Sequence, residues 1–224
     1  MAMKWPAYFD EFTQRFGLES RTTALLPVDL QYATASRSEG FGALLASQGR
    51  LEEADYRFSR IERFVVPNTA RLLEAFRRVG APVIYLTLGC ERSDCLDAPA
   101  HLRALLRATN NVKGSRAHDI LDELKPRADE LVLNKRTQGA FASTALETVL
   151  RSLGAEAVVL TGVSTNMCVD ATARGASDLG FNTVIVSDAT GTCSDAMQDA
   201  TMLTFSRLWG RVMTTDDVIA ELGA

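Results

Sequence analysis

GVSTNMCVDATARGA, residues 162–176, decides how this chain is read. The run before it, EAVVLTG, has the length and apolar character of a strand and stops at Gly162. Six residues later stands Cys168, followed by a helix-like pattern of small residues. A cysteine where a strand gives way to a helix has two readings. One is a small buried residue between helix and sheet, since free cysteine is among the most buried residue types. The other is a nucleophile. A helix start leaves N–H groups unpaired, and its field lowers a thiol's pKa.

Outward from that junction the pattern repeats. Strand-like runs lie at 23–29 (TALLPVD), 82–88, 130–135, 157–163, 182–187 and, more briefly, 211–214. All but the last are short apolar runs of the kind covered on both faces of a sheet. Helical spacing falls between them. Leu72, Leu73, Phe76 and Val79 precede Gly80, and Leu146, Val149, Leu150 and Leu153 precede Gly154. Further helices run to Gly180 and Gly210, and all four glycines are expected at the left-handed position that ends a helix. Alternating β and α elements imply a parallel sheet with right-handed crossovers. The expected fold is α/β: a three-layer α/β/α domain spanning 1–224, with a mainly parallel, doubly wound sheet of six strands. Segments 32–58 and 89–118 are the least regular stretches; both follow strand ends and are expected as walls or lids of a site.

Composition sets bounds. The chain has 224 residues, 46% hydrophobic and 23% charged, enough to bury a core. A net charge of −4 without a long basic run gives nucleic-acid binding little support, and a small or neutral ligand fits as well as any. MAMKWPAYFDEF has no apolar core of signal-peptide length, and no run approaches the roughly 20 apolar residues of a membrane helix. A cytoplasmic protein without membrane contact is expected. Its four cysteines, Cys90, Cys95, Cys168 and Cys193, are then expected as free thiols. Cys90 and Cys95 lack the further ligands that structural zinc needs.

Three polar residues fall at carboxyl ends of expected strands: Asp29, Lys135 and Cys168. In an open parallel sheet these ends border one crevice. An acid, a cation and a thiol there form a nucleophile–base–orienter set. Singly, Asp29 reads equally as a helix cap and Lys135 as a solvated charge. Cys193, also before a helix, is a competing thiol. His118 lies in an irregular stretch, where a solvated ring is the plain reading. Candidate pocket walls are Gln31, Tyr32, Phe64, Glu91, Arg92 and Phe141. The plain alternatives are core for the two phenylalanines and solvent for Glu91 and Arg92.

ALLPVDLQ (24–31), LVLNKRTQGAF (131–141) and LTGVSTNMCVDATARGASDLGFNTVIVSDAT (160–190) together resemble the isochorismatase-like cysteine hydrolase superfamily. The likeness is to its N-carbamoylsarcosine amidase, ureidoacrylate and biuret amidohydrolase branch. It implies a catalytic triad of Asp29, Lys135 and Cys168. It also implies a cis peptide at Val163–Ser164 and an oxyanion hole from the amides of Ser164 and Cys168. The implied reaction is hydrolysis of a small amide, carbamoyl or ureido C–N bond through a thioester, without cofactor or metal, in a homodimer or homotetramer. The chain departs from the family in reading DLQYAT after the acid and Gly139-Ala140-Phe141 after the lysine. It lacks the histidine element of the nicotinamidases, its two histidines being His101 and His118. The retained Cys168 favours C–N cleavage over the vinyl-ether hydrolysis of isochorismatases, which is the alternative beside a non-catalytic scaffold.

Overall fold

The computed structural model describes residues 7–224; the first six residues of the N-terminal stretch read above lie outside it. After a turn of 3₁₀-helix at Ala7–Phe12 comes β1 (Thr23–Val28). Segment 32–58, expected to be irregular, holds α1 (Tyr32–Ala35), α2 (Gly40–Ser47) and the start of α3 (Asp55–Arg60). A wide π-turn at Ile61–Val65 leads into α4 (Val66–Arg78), then β2 (Ile84–Leu88). Segment 89–118 is likewise not structureless, since it contains α5 (Ala100–Ala108). The chain continues through β3 (Leu131–Lys135), α6 (Leu146–Ser152), β4 (Ala157–Val163), a second π-turn (Thr165–Val169) and α7 (Asp170–Asp178). It ends with β5 (Asn182–Gly191), α8 (Asp195–Leu208), β6 (Arg211–Met213) and α9 (Thr215–Leu222).

The six strands form one sheet in the order β3-β2-β1-β4-β5-β6, and every pair is parallel. Helices cover both faces. Alternation along each strand divides the apolar residues into two clusters. Leu25, Tyr85, Val159 and Val184 face α4 and α9 through Leu72, Phe76 and Val218. Ala24, Leu26, Ile84 and Leu160 face the other layer through Leu106, Leu150, Ala173 and Phe205. β1, β2 and β4 are buried along their whole length, as their unbroken apolar runs require. β3 departs from that expectation. It is an edge strand, and Leu131 and Val132 are exposed.

From β1 the chain winds one way to β2 and β3, and from β4 the other way to β5 and β6. The reversal lies between β1 and β4, where an open α/β sheet leaves a crevice beyond its carboxyl ends. Gly162 closes the two strands there. Its φ is 108°, and a Cβ would stand 2.0 Å from the Val28 carbonyl oxygen, so only glycine lets β4 approach β1. Gly80, Gly154 and Gly180 have the expected left-handed φ. Gly210 does not; it is glycine because a Cβ would meet the Thr183 carbonyl oxygen at 2.1 Å.

Cys90 and Cys95 form a disulfide, against the expectation of free thiols. Cys95 takes a left-handed φ of 55°, which folds the loop back and brings the two Cα atoms to 5.2 Å, within bridging range. Cys168 and Cys193 are free. No helix among the described residues is long and apolar enough to cross a membrane.

Candidate active site

Asp29 is the first residue past β1. Its φ is 52°, a left-handed turn that Asp enters more readily than most residues, and its N–H donates to the Leu86 carbonyl at 2.8 Å. The carboxylate is 1% exposed. Its Oδ2 accepts a 2.8 Å bond from Nζ of Lys135, which ends β3 and is fully buried. Nζ also donates to the Thr137 carbonyl at 3.3 Å. The other oxygen, Oδ1, has no hydrogen-bond partner. The carbonyl of Asp29 accepts a short bond from the Thr34 hydroxyl.

Cys168 lies in the π-turn between β4 and α7, after the cis Val163–Ser164 peptide. The Ser164 carbonyl accepts from the amides of Met167 and Val169, and the Cys168 carbonyl from the Thr172 hydroxyl at 2.7 Å. The thiol is 7% exposed and interacts with both Asp29 and Lys135. The structure thus brings the three strand-end residues together.

Electrostatics correct one expectation. Burial pushes the Cys168 thiol up to about 12, the Asp29 charge adds to the rise, and Lys135 only partly opposes it. The sequence reading weighed the helix-start field, but desolvation and a neighbouring carboxylate outweigh it. The resting thiol is protonated. Burial also raises Asp29, against the pull of Lys135; burial lowers Lys135, but the Asp29 charge and the contacts with Asp29 and Cys168 outweigh it and leave Lys135 raised. A thiol that keeps its proton beside a carboxylate of raised basicity is arranged for proton transfer during attack rather than before it.

A cavity of 320 Å³ opens over this cluster. Its lining includes the polar residues Asp29, Cys168, Ser164, Arg57, Asn111 and Gln138. Its apolar wall comes from Phe41 of α2, from Leu102, Leu105 and Leu106 of α5, and from Met167. Arg57 is the charged group that sequence reasoning missed. It comes from α3 and is 7% exposed; Nη1 donates to the Ser164 hydroxyl at 2.6 Å and Nη2 to the Thr34 carbonyl at 2.8 Å. Cys193, the competing thiol, lies on the same cavity wall but is exposed.

None of the six expected pocket residues is in that wall. Gln31 is buried behind it: its Nε2 donates to the carbonyls of Leu88 and His118, and its Oε1 accepts from the Leu88 amide. The Tyr32 ring stacks under Arg116 at 3.7 Å, and its hydroxyl accepts from the Asp122 amide. Phe64 is half exposed in the first π-turn. Glu91 pairs with Lys113 and accepts from Asn134, while Arg92 pairs with Asp94. Phe141 packs on Phe181, with ring centroids 6.3 Å apart, and against Gly175. His118 is not solvated as expected. It is buried, its Nδ1 lies 2.8 Å from Gln31 Nε2, and burial lowers its pKa. Among the described residues no three His, Cys, Asp or Glu side chains are grouped so as to hold a metal ion.

A family model described as the isochorismatase domain matches residues 23–217. The chain belongs to the isochorismatase family. It is 30% identical to the secreted isochorismatase effector Isc1 of Verticillium dahliae, over 71% of this chain and 76% of that one. It is 29% identical to the ureidoacrylate amidohydrolase RutB of Serratia proteamaculans, over 90% of this chain and 83% of that one. Among solved structures, N-carbamoylsarcosine amidase of Thermoplasma acidophilum superposes with a TM-score of 0.64 at 27% identity. That match covers 87% of this chain and 97% of the amidase.

Proposed function

We propose that this protein is a cysteine amidohydrolase, cleaving the C–N bond of a small amide, carbamoyl or ureido compound through a thioester on Cys168. The observation that carries the reading is the buried Lys135–Asp29 pair set against a free thiol at the floor of a cavity. The names of two relatives, a ureidoacrylate amidohydrolase and an N-carbamoylsarcosine amidase, support the bond type.

In the proposed sequence Asp29 takes the thiol proton as Sγ attacks the carbonyl carbon. The oxyanion forms beside the amides of Ser164 and Cys168, where oriented N–H donors stabilise developing charge. The C–N bond then breaks, and Asp29 returns the proton to the leaving nitrogen, releasing ammonia or an amine. Asp29 next draws a proton from water, which attacks the thioester; the acid leaves and the thiol is restored. Lys135 remains an ammonium throughout and keeps the Asp29 carboxylate in place. The reading also includes a homodimer or homotetramer, supported by the exposed Leu131 and Val132 on the edge strand.

A panel of simple amides, ureides and carbamoyl compounds, assayed for ammonia or amine release, tests the function. Release that disappears in Cys168→Ala is expected. Turnover of isochorismate-type ethers, with no nitrogen released from any panel member, contradicts it.

A further inference from the structure

The turn that carries Cys168 is held from outside at Ser164, Thr165 and Asn166 in succession. Arg57 donates to the Ser164 hydroxyl, the Thr165 hydroxyl donates to Gln198 Oε1 at 2.7 Å, and the Thr192 hydroxyl donates to Asn166 Oδ1 at 2.6 Å. Arg57 lines the cavity and also interacts with Cys193, Cys168 and Asp29, so its position and its charge act together. Gln198 is different. It is neutral, 5% exposed, in the first turn of α8 and outside the cavity lining. Its Nε2 donates to the Ser187 carbonyl at 3.2 Å and to the Thr190 hydroxyl at 3.1 Å. Both residues belong to a bulge of β5, where the chain runs from Ile185 to Thr190 opposite only Leu160 to Gly162 of β4. The bulge has other support. Arg60 also donates to the Ser187 carbonyl, at 2.8 Å, and Thr190 Oγ1 donates to the Val186 carbonyl at 3.0 Å. The buried Thr165 hydroxyl, in contrast, has Gln198 as its one hydrogen-bond partner among the described residues.

We infer that Gln198 is a positioning residue for the reaction proposed above, fixing through Thr165 the turn that presents the Cys168 thiol and the amides of Ser164 and Cys168. The inference rests on the amidohydrolase reading and adds to it the group that keeps the nucleophile in register with Asp29. A buried polar side chain is costly unless it is bonded, and an apolar one would fill this place on α8 at lower cost if packing were its only task. Both ends of the Gln198 amide are used, the carbonyl toward the turn and the NH2 group toward the bulge. The bulge, braced by Arg60, is the fixed point, and the turn is the part that Gln198 locates from it. Such placement matters because an oxyanion is stabilised only by donors aimed at it, and a misplacement of about 1 Å can cost about a hundredfold in rate.

Gln198→Met keeps the length of the side chain and removes the bond. With an amide or carbamoyl compound that the panel above shows to be turned over, kcat is expected to fall about ten- to a hundredfold while KM changes by less than about threefold. Thr165→Val, of similar shape without the hydroxyl, shows the same loss, and Thr165→Ser, which keeps the hydroxyl, avoids most of it. The double variant of Gln198→Met and Thr165→Val is no worse than the poorer single one, because both changes remove one bond. Hydrogen exchange followed by mass spectrometry reads the turn without turnover. The Met167 and Val169 amides, which donate to the Ser164 carbonyl, exchange at least about tenfold faster in Gln198→Met, while those of β4 keep their protection. An unchanged kcat with lowered stability, additive losses in the double variant, or protection lost equally from the turn and from β4 overturns the inference and leaves Gln198 a packing residue. If no panel member releases ammonia or an amine the amidohydrolase reading fails, while hydrogen exchange still decides whether Gln198 holds the turn.

Discussion

Lys135→Met removes a charge and leaves a side chain of similar length, so its effects isolate the ion pair. Lys135 is fully buried and Asp29 is 1% exposed, with Nζ 2.8 Å from Oδ2. Removing one partner of such a pair costs about 3–5 kcal/mol, a large share of the roughly 5–15 kcal/mol that holds a domain together. The cost depends on pH in a definite direction. Without the ammonium only the weaker pulls of Cys168 and Arg57 oppose burial, so the Asp29 carboxyl rises further above its ordinary value. A carboxyl whose pKa is raised by folding holds its proton more tightly in the folded chain than in the unfolded one. The stability this adds is present below the unfolded pKa, near 4, and is lost as pH rises through the folded pKa. Urea unfolding of wild type and variant at several pH values between about 4.5 and 8 should therefore show a gap that widens with pH. The same change protonates the proposed base, so kcat/KM should fall by at least about two orders of magnitude, with its acidic limb moved to higher pH. A stability gap independent of pH would refute the argument that Lys135 holds Asp29 ionised.

Iodoacetamide near neutral pH should label Cys193 before Cys168, because Cys193 is exposed while Cys168 is buried and pushed up to about 12; peptide mapping that found Cys168 labelled first would restore the depressed thiol expected from its place at a helix start. Gly162→Ala should destabilise the fold by roughly 3 kcal/mol or more, since a Cβ meets the Val28 oxygen at 2.0 Å and φ is 108°. A loss below about 1 kcal/mol in urea unfolding would count against that close approach.

The strand ends were legible because the sheet itself converts sequence into position. Once β1, β3 and β4 are parallel, Asp29, Lys135 and the turn after Gly162 must share one edge, however far apart they stand in the chain. Pocket walls follow no such rule. Gln31 and Tyr32 are near neighbours of Asp29, yet the left-handed turn at Asp29 sends them toward His118 and Arg116. The walls come instead from α3 and α5; the i, i+3, i+4 spacing of Leu102, Leu105 and Leu106 marks α5 as a helix, but nothing local says that its apolar face meets the site. A buried, unpaired arginine such as Arg57 has no mark in sequence, because its partners arrive from Thr34 and Ser164. The C-terminal helix α9 does carry local signals: Thr214 and Asp217 form a capping box at its start, and Gly223, with φ 67°, ends it. The thiol's pKa failed for a similar reason. A helix start is local and visible in sequence, whereas burial and the Asp29 charge are tertiary.

The proposed mechanism stands on covalent acylation of Cys168 during turnover. Rapid-quench intact-mass spectrometry with a turned-over amide or carbamoyl substrate, followed by peptide mapping, tests it most directly. The account predicts a transient adduct of the substrate's acyl or carbamoyl mass on the peptide containing Cys168, absent from Cys168→Ala. An adduct on Cys193 instead, or undiminished turnover by Cys168→Ala, would contradict it.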